Sequence, residues 1–370
     1  MTRTGVAITG AWRDGDPVGR RRFADVAPLR LERGGTLPTA RLAYETWGRL
    51  NPERDNAVLV LHAMSGDSHA AGEAEPGHPG RGWWNGVVGP GLGIDTDRWF
   101  VVCPNALGGC QGSTGPSTPA PDGRAWGSRW PAVTIRDQVR AEVALADELG
   151  VRSWAAVVGG SMGGMRALEW SLSRPQQVDR AVVLAVGAEA SADQVATCRV
   201  QVEAIRADRH WHGGDYYDEL AGPTGGVALA RRIAHLSYRS AAEIDDRFGR
   251  DAALGGDPLE EGFAVESWLD HVAAGLVDRF DAGSYVSLTE AMNSHDVGRG
   301  RGGKAAALSG MRARPTVVGV DSDRLYPLHQ QRELAGLLGV PLRVVRSPRG
   351  HDGFLVETDQ VNAILSEALA

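Results

Sequence analysis

The sequence predicts an α/β fold, a mostly parallel sheet flanked by helices and interrupted by a helical insertion. Three observations carry that expectation. Short apolar, β-branched runs recur along the chain, a helical pattern sits between two of them, and residues 188–302 contain no strong strand run.

The runs are 57–61 (AVLVL), 99–103 (WFVVC), 154–158 (WAAVV), 181–186 (AVVLAV), 316–320 (TVVGV) and 342–345 (LRVV). Continuously apolar strands suit a sheet buried on both faces, hence parallel and covered by helices. Residues 135–149 alternate charged and apolar positions at helical spacing between two runs, as a crossover helix does. Residues 188–302 are too long for one connection. They read as a helical lid over the sheet's carboxyl edge, leaving 1–187 and 303–370 as the core.

A chain of 370 residues fits one large α/β domain with an insertion. Its 42% hydrophobic and 23% charged residues are ordinary for a soluble globular protein. A net charge of −7 argues against nucleic acid as a partner. The glycine-rich stretch with Arg299, Arg301 and Lys304 is a candidate to greet an anionic cofactor, although a solvated loop is the simpler reading. Three cysteines without a CxxC pair argue against a disulfide framework and for a reducing cytoplasm. The N-terminus lacks a signal-peptide apolar run, and no segment is long enough to span a bilayer, so no membrane partner is expected.

The chemistry is written at residues 159–164, GGSMGG, placed after a strand and before a helical pattern. With 49 glycines in the chain, a G-x-S-x-G match alone is weak. Its setting makes it specific, because a strand–turn–helix with serine at the apex is the nucleophile elbow of the α/β-hydrolase fold. Ser161 is the expected nucleophile. It needs a histidine base and a carboxylate to orient that base, following in the order Ser, Asp or Glu, His. His351, just past the last strand, is the expected base. Asp321 and Asp323 both leave a strand end, and position alone does not choose between them. His210, His212, His271 and His329 read as surface histidines. The oxyanion hole needs two backbone N–H groups. Met162 supplies one, and Met64, in the loop 61–67 after an early strand, supplies the other. His62 and His69 in that region are not expected to hold metal, because no Cys or carboxylate cluster completes a zinc site at matching spacing.

Several longer stretches are similar to the homoserine O-acetyltransferase family: LHAMSGDSHA (61–70), GWWNGVVGPG (82–91), PNALGGCQGSTGP (104–116), VVGGSMGGMRALEW (157–170), ARRIAHLSYRS (230–240), FDAGSYVSLTEAMNSHDVGRGRGG (280–303), SDRLYP (322–327) and GHDGFLVE (350–357). The likeness runs from about residue 25 to the end. It implies acetyl transfer from acetyl-CoA to L-homoserine through an acetyl-Ser161 intermediate, in methionine biosynthesis, with no permanently bound cofactor. It favours Asp323 as the acid. It also implies a substrate pocket built from Arg231, Tyr238 and Asp352, and a homodimer formed through the lid. The chain departs from the commonest pattern at Met64-Ser65, where Leu-Thr is usual, and at Asn85, where Asp is frequent. Relatives on this scaffold succinylate homoserine, acylate serine or acetylate another alcohol, and a carboxylesterase uses the same triad.

Overall fold

The computed structural model describes residues 8–370. The first seven residues, part of the stretch read for a signal peptide, lie outside the described residues. An eight-stranded sheet forms the centre. Its strands are β1 (Arg22–Asp25), β2 (Arg41–Trp47), β3 (Ala57–Leu61), β4 (Phe100–Pro104), β5 (Ala156–Gly160), β6 (Arg180–Leu184), β7 (Arg314–Val320) and β8 (Leu342–Val345). The spatial order is β1-β2-β4-β3-β5-β6-β7-β8. Only the β1–β2 and β2–β4 pairs are antiparallel. Every other pair is parallel.

The six apolar runs are six of these strands, each within two residues of the expected start. β3 and β5 are buried along their whole length, as strands covered on both faces must be. The two antiparallel strands had no such signature. Arg22–Asp25 is mostly exposed or half-buried, and Arg41–Trp47 mixes Arg and Glu with apolar residues.

Helix α1 (Ile135–Glu148) is the expected crossover. Thr134 caps it, accepting the Asp137 N–H while Asp137 reaches back to the Thr134 N–H. Helix α2 (Met162–Ser173) follows the elbow and is buried over nearly its whole length. Between β6 and β7 the chain is helical, with α3 (Ala192–Arg206), α4 (Thr224–Tyr238), α5 (Ala241–Phe248), α6 (Pro258–Glu261), α7 (Ala264–Val277), α8 (Ala282–Asn293) and α9 (Lys304–Ser309). No named strand lies there. Two apolar clusters fill the two sides of the sheet, with Leu59, Val157 and Val183 on one side and Val58, Val158 and Val182 on the other. No helix among the described residues is long and apolar enough to cross a membrane.

Candidate active site

β5 delivers the chain to Ser161 at the carboxyl edge of the sheet. There the backbone turns sharply, with Ser161 at φ 56° and ψ −125°. A non-glycine residue held there costs about 1–3 kcal/mol. The strain is held by hydrogen bonds from Ser161 N–H to the Leu184 carbonyl at 2.9 Å and from Met165 N–H to the Ser161 carbonyl. Glycine is required two residues on. A Cβ at Gly163 would collide with the Leu61 carbonyl, so only glycine lets α2 rest this close to β3.

The structure separates the two candidate acids. Asp321 Oδ1 accepts the Ser347 N–H at 3.0 Å, tying the ends of β7 and β8 together. Asp323 Oδ1 accepts the N–H groups of Leu325 and Tyr326, and its Oδ2 lies 2.7 Å from His351 Nδ1. Asp323 is therefore locked by its own loop before it meets the histidine. His351 Nδ1–H donates to Asp323, which leaves the Nε2 lone pair for a proton. Nε2 is buried and makes no hydrogen bond, to Ser161 included. Triads without substrate commonly tighten only when the reaction complex forms. Burial alone would lower the His351 pKa, but the charge and hydrogen bond of Asp323, with Asp352 beyond, hold it above the ordinary value. Tyr326 stacks on the imidazole at 5.2 Å, Tyr238 lies at 5.9 Å, and Phe354 meets it edge-on.

The N–H groups of Met64 and Met162 are engaged by no other group among the described residues. The loop carrying Met64 is clamped from below. His62 accepts the Ala106 N–H at Nε2, so its Nδ1–H donates to the Ala63 carbonyl at 2.7 Å. Burial, reinforced by Arg166, pushes His62 down to about 3, so it stays neutral. Arg166, itself fully buried, donates to the His62 carbonyl at 2.9 Å and to Glu142 at 2.7 Å. Arg279 donates to the Ser65 carbonyl at 2.7 Å.

Arg231 and Tyr238 arrive from α4, and Asp352 follows His351. The Arg231 guanidinium lies 5.5 Å from the Tyr238 ring centre. Among the described residues it makes no ion pair or hydrogen bond, and its Nε is buried. Asp352 faces Arg239 at 3.5 Å, and Arg239 also holds Glu243 through two nitrogens. Burial raises the Asp352 pKa, against the pull of His351, Arg239 and Arg231. Arg239 was missed in the sequence because its partners lie at 243 and 352. Tyr326 and Phe354 sit inside stretches that resemble the family, but nothing in their spacing marked them as walls of the base.

Other expectations resolve differently. Arg299 pairs with Glu32, Arg301 with Glu169, and Lys304 with Glu189 and Glu333, so the basic stretch is an internal ion-pair network. Asn85 accepts the Gly72 N–H and shapes a turn. His212, His271 and His329 are exposed and His210 half-buried. His69 does meet a carboxylate and a second histidine, Glu45 and His78, from residues distant in sequence. A surface cleft of about 940 Å³ lies at the opposite, amino edge of the sheet, around Asn56, Trp99, Ala155 and Arg180. A second cleft, about 520 Å³, opens beside Ser65, Asp67 and Arg279, next to the Met64 loop.

The strand order, the strained Ser161 and the Asp323–His351 pair define an α/β-hydrolase-fold enzyme. A family model for that fold matches residues 56–358. Within the fold the chain belongs to the homoserine O-acetyltransferase family. It is 62% identical to the homoserine O-acetyltransferase of Thermobifida fusca over 98% of this chain and 97% of that protein. Among solved structures it resembles the homoserine O-acetyltransferase from Bacillus anthracis, with TM-score 0.87 and 26% identity over 94% of this chain and 97% of that one. An acetylester hydrolase from Corynebacterium glutamicum is also similar, with TM-score 0.82 and 27% identity over 95% and 96% of the two chains.

Proposed function

We propose that this enzyme transfers the acetyl group of acetyl-CoA to the side-chain hydroxyl of L-homoserine, by a ping-pong route through acetyl-Ser161. The observation that carries this reading is Arg231, a cation over the Tyr238 ring with no ion pair or hydrogen bond among the described residues. A guanidinium grips an amino acid's α-carboxylate bidentately, and Asp352 supplies a carboxylate for the α-ammonium. A hydrolase for neutral esters needs neither.

In the first half-reaction His351 Nε2 takes the Ser161 proton as Oγ attacks the thioester carbonyl. The oxyanion that forms is met by the N–H groups of Met64 and Met162. Collapse of this intermediate expels the CoA thiolate, which takes the proton from His351. In the second half-reaction the homoserine hydroxyl gives its proton to Nε2 and attacks the acetyl ester. Ser161 then leaves and recovers that proton. Asp323 keeps the imidazole in the Nδ1–H tautomer and stabilises the imidazolium.

Residues 188–302 act as the lid. The half-exposed Leu229 and Leu236 on α4 support a homodimer formed through it. Acetyl-CoA is a co-substrate, with no permanently bound cofactor. Three free, buried cysteines agree with a cytoplasmic enzyme of methionine biosynthesis.

The test is intact mass after mixing with acetyl-CoA alone, followed by homoserine. One acetyl group mapped to Ser161 and then discharged to homoserine is expected. Absence of CoA release above background with homoserine would overturn the reading.

A further inference from the structure

Strand β2 carries a buried carboxylate that the reaction above does not use. Glu45 is 1% exposed. Its Oε1 accepts the Ser68 hydroxyl at 3.0 Å and lies 3.2 Å from His78 Nε2. Its Oε2 lies 2.9 Å from His69 Nδ1. The His69 and His78 rings stack with centroids 4.0 Å apart and planes 11° from parallel. These groups converge under the downstream end of the loop that carries Met64.

A metal ion is the obvious competitor, since one ligand atom from each of Glu45, His69 and His78 lies within 4.8 Å of the others. Two His and one carboxylate form a set that zinc accepts. The ring geometry opposes it. An imidazole binds a metal along a lone pair in its own plane, and two stacked, nearly parallel rings do not aim their lone pairs at one ion. Existing hydrogen bonds oppose it too, because His78 Nε2 accepts the Arg20 N–H at 3.4 Å and Glu45 accepts from Ser68 and His69. Burial and the nearby Arg21 and His69 push His78 down to about 4. Burial also works against protonation of His69, but the hydrogen bond and charge of Glu45 overcome it and raise its pKa.

We propose that Glu45 is a positioning residue for acyl transfer, gripping Ser68 and His69 so that the Met64 N–H stands at the height the oxyanion requires. The upstream end of the loop is fixed by His62 and its middle by the Arg279–Ser65 bond. Backbone N–H groups of Trp83 and Trp84 donate to the carbonyls of residues 69 and 70. The Cys103 thiol and the Trp83 indole N–H reach the Asp67 carbonyl at 3.7 and 3.0 Å, and Glu45 ties the Ser68 and His69 side chains to the sheet. The inference rests on the acyl-transfer reading above only in requiring an oxyanion at Met64, which any ester substrate also forms.

The test uses the full chain as wild type, Glu45→Gln and Ser68→Ala. Active sites are counted with a covalent phosphonate. The kcat per titrated site is then measured with p-nitrophenyl acetate, and with acetyl-CoA plus homoserine. Deleting an oxyanion donor outright costs about 10²–10³ in kcat, so a displaced donor in Glu45→Gln should cost about 10–100-fold. KM should move by less than about threefold, because the hole acts on the transition state. Affinity for a trifluoromethyl ketone, which forms an oxyanion on Ser161, should fall in step. Ser68→Ala leaves the carboxylate paired with His69 and should show the same pattern at about three- to tenfold. A purely structural role would lower the count of titratable sites and leave kcat per site unchanged. Values within about twofold of wild type in both variants overturn the proposal, as does stoichiometric zinc in the wild type that Glu45→Gln lacks. If Glu45→Gln does not fold, Ser68→Ala decides alone. The p-nitrophenyl acetate arm tests the clamp even if homoserine proves not to be the acceptor.

Discussion

The two sides of Ser161 treat charge differently. On the sheet side several buried charges are matched. Arg166 holds Glu142 and the His62 carbonyl, Glu169 holds Arg301, and Glu45 holds His69. On the side built by the helical insertion, Arg231 lies over the Tyr238 ring with no ion pair or hydrogen bond among the described residues, while Asp352 has a long contact to Arg239. Leaving a charge uncompensated inside a protein is expensive. The sheet side uses its polar groups to anchor the loop that carries Met64 beside the Ser161 turn. On the proposed reading, the insertion side keeps Arg231 and Asp352 for a ligand that brings a carboxylate and an ammonium of its own.

The contrast is broken most directly at the nucleophile. Ser161→Ala should lower kcat by roughly 10⁶-fold and give no acetyl adduct by intact mass. If acyl transfer survives in full, the sheet side does not perform the chemistry. Asp323→Asn should follow at roughly 10⁴-fold, read from kcat at pH 8. Its sign with pH is also fixed. His351 must be neutral to act, and Asp323 raises its pKa above the ordinary value of 6.5. Wild-type kcat/KM should therefore fall as pH drops through a midpoint above 6.5, and the residual activity of Asp323→Asn should fall at a lower midpoint.

The insertion side should separate from these. Arg231→Ala removes hydrogen bonds to a charged group worth about 1.5–3 kcal/mol each. Homoserine KM should rise about ten- to several-hundredfold, while the burst of p-nitrophenol from p-nitrophenyl acetate stays near wild type. Equal loss in both assays would erase the division of labour. The smallest effect belongs to Lys304→Ala. Its ion pairs with Glu189 and Glu333 are partly exposed, so thermal unfolding should register less than about 1 kcal/mol. KM for acetyl-CoA should not change, and a large rise would return the basic stretch to the role of donor site.

Legibility in the sequence divided along the same line. β3 and β5 are apolar along their length because both faces are covered, and such runs announce themselves. The elbow was readable because its glycines are steric necessities, as the approach of Gly163 to Leu61 shows. Asp321 and Asp323 were equivalent by position. What separates them is a tertiary fact, the tether from Asp321 to Ser347, which residue spacing does not encode. Strands β1 and β2 escaped because strands with polar positions lack the continuous apolar signal. The Glu45–His69–His78 cluster escaped because its members come from a strand and two separate loop positions. A search for local metal-ligand spacing passes over such a cluster.

The backbone at Ser161 bears on how this enzyme tolerates heat. A glycine there would adopt φ 56° freely, and the relief of about 1–3 kcal/mol exceeds or offsets the roughly 0.5–1 kcal/mol that glycine's freedom costs in the unfolded chain. The dead variant Ser161→Gly should thus melt no lower than the living enzyme. Directed evolution for thermal tolerance, run without a simultaneous screen for turnover, will find its easiest gains by dismantling the elbow. Robustness and catalysis compete at this one residue, and any laboratory lineage of this enzyme inherits that conflict.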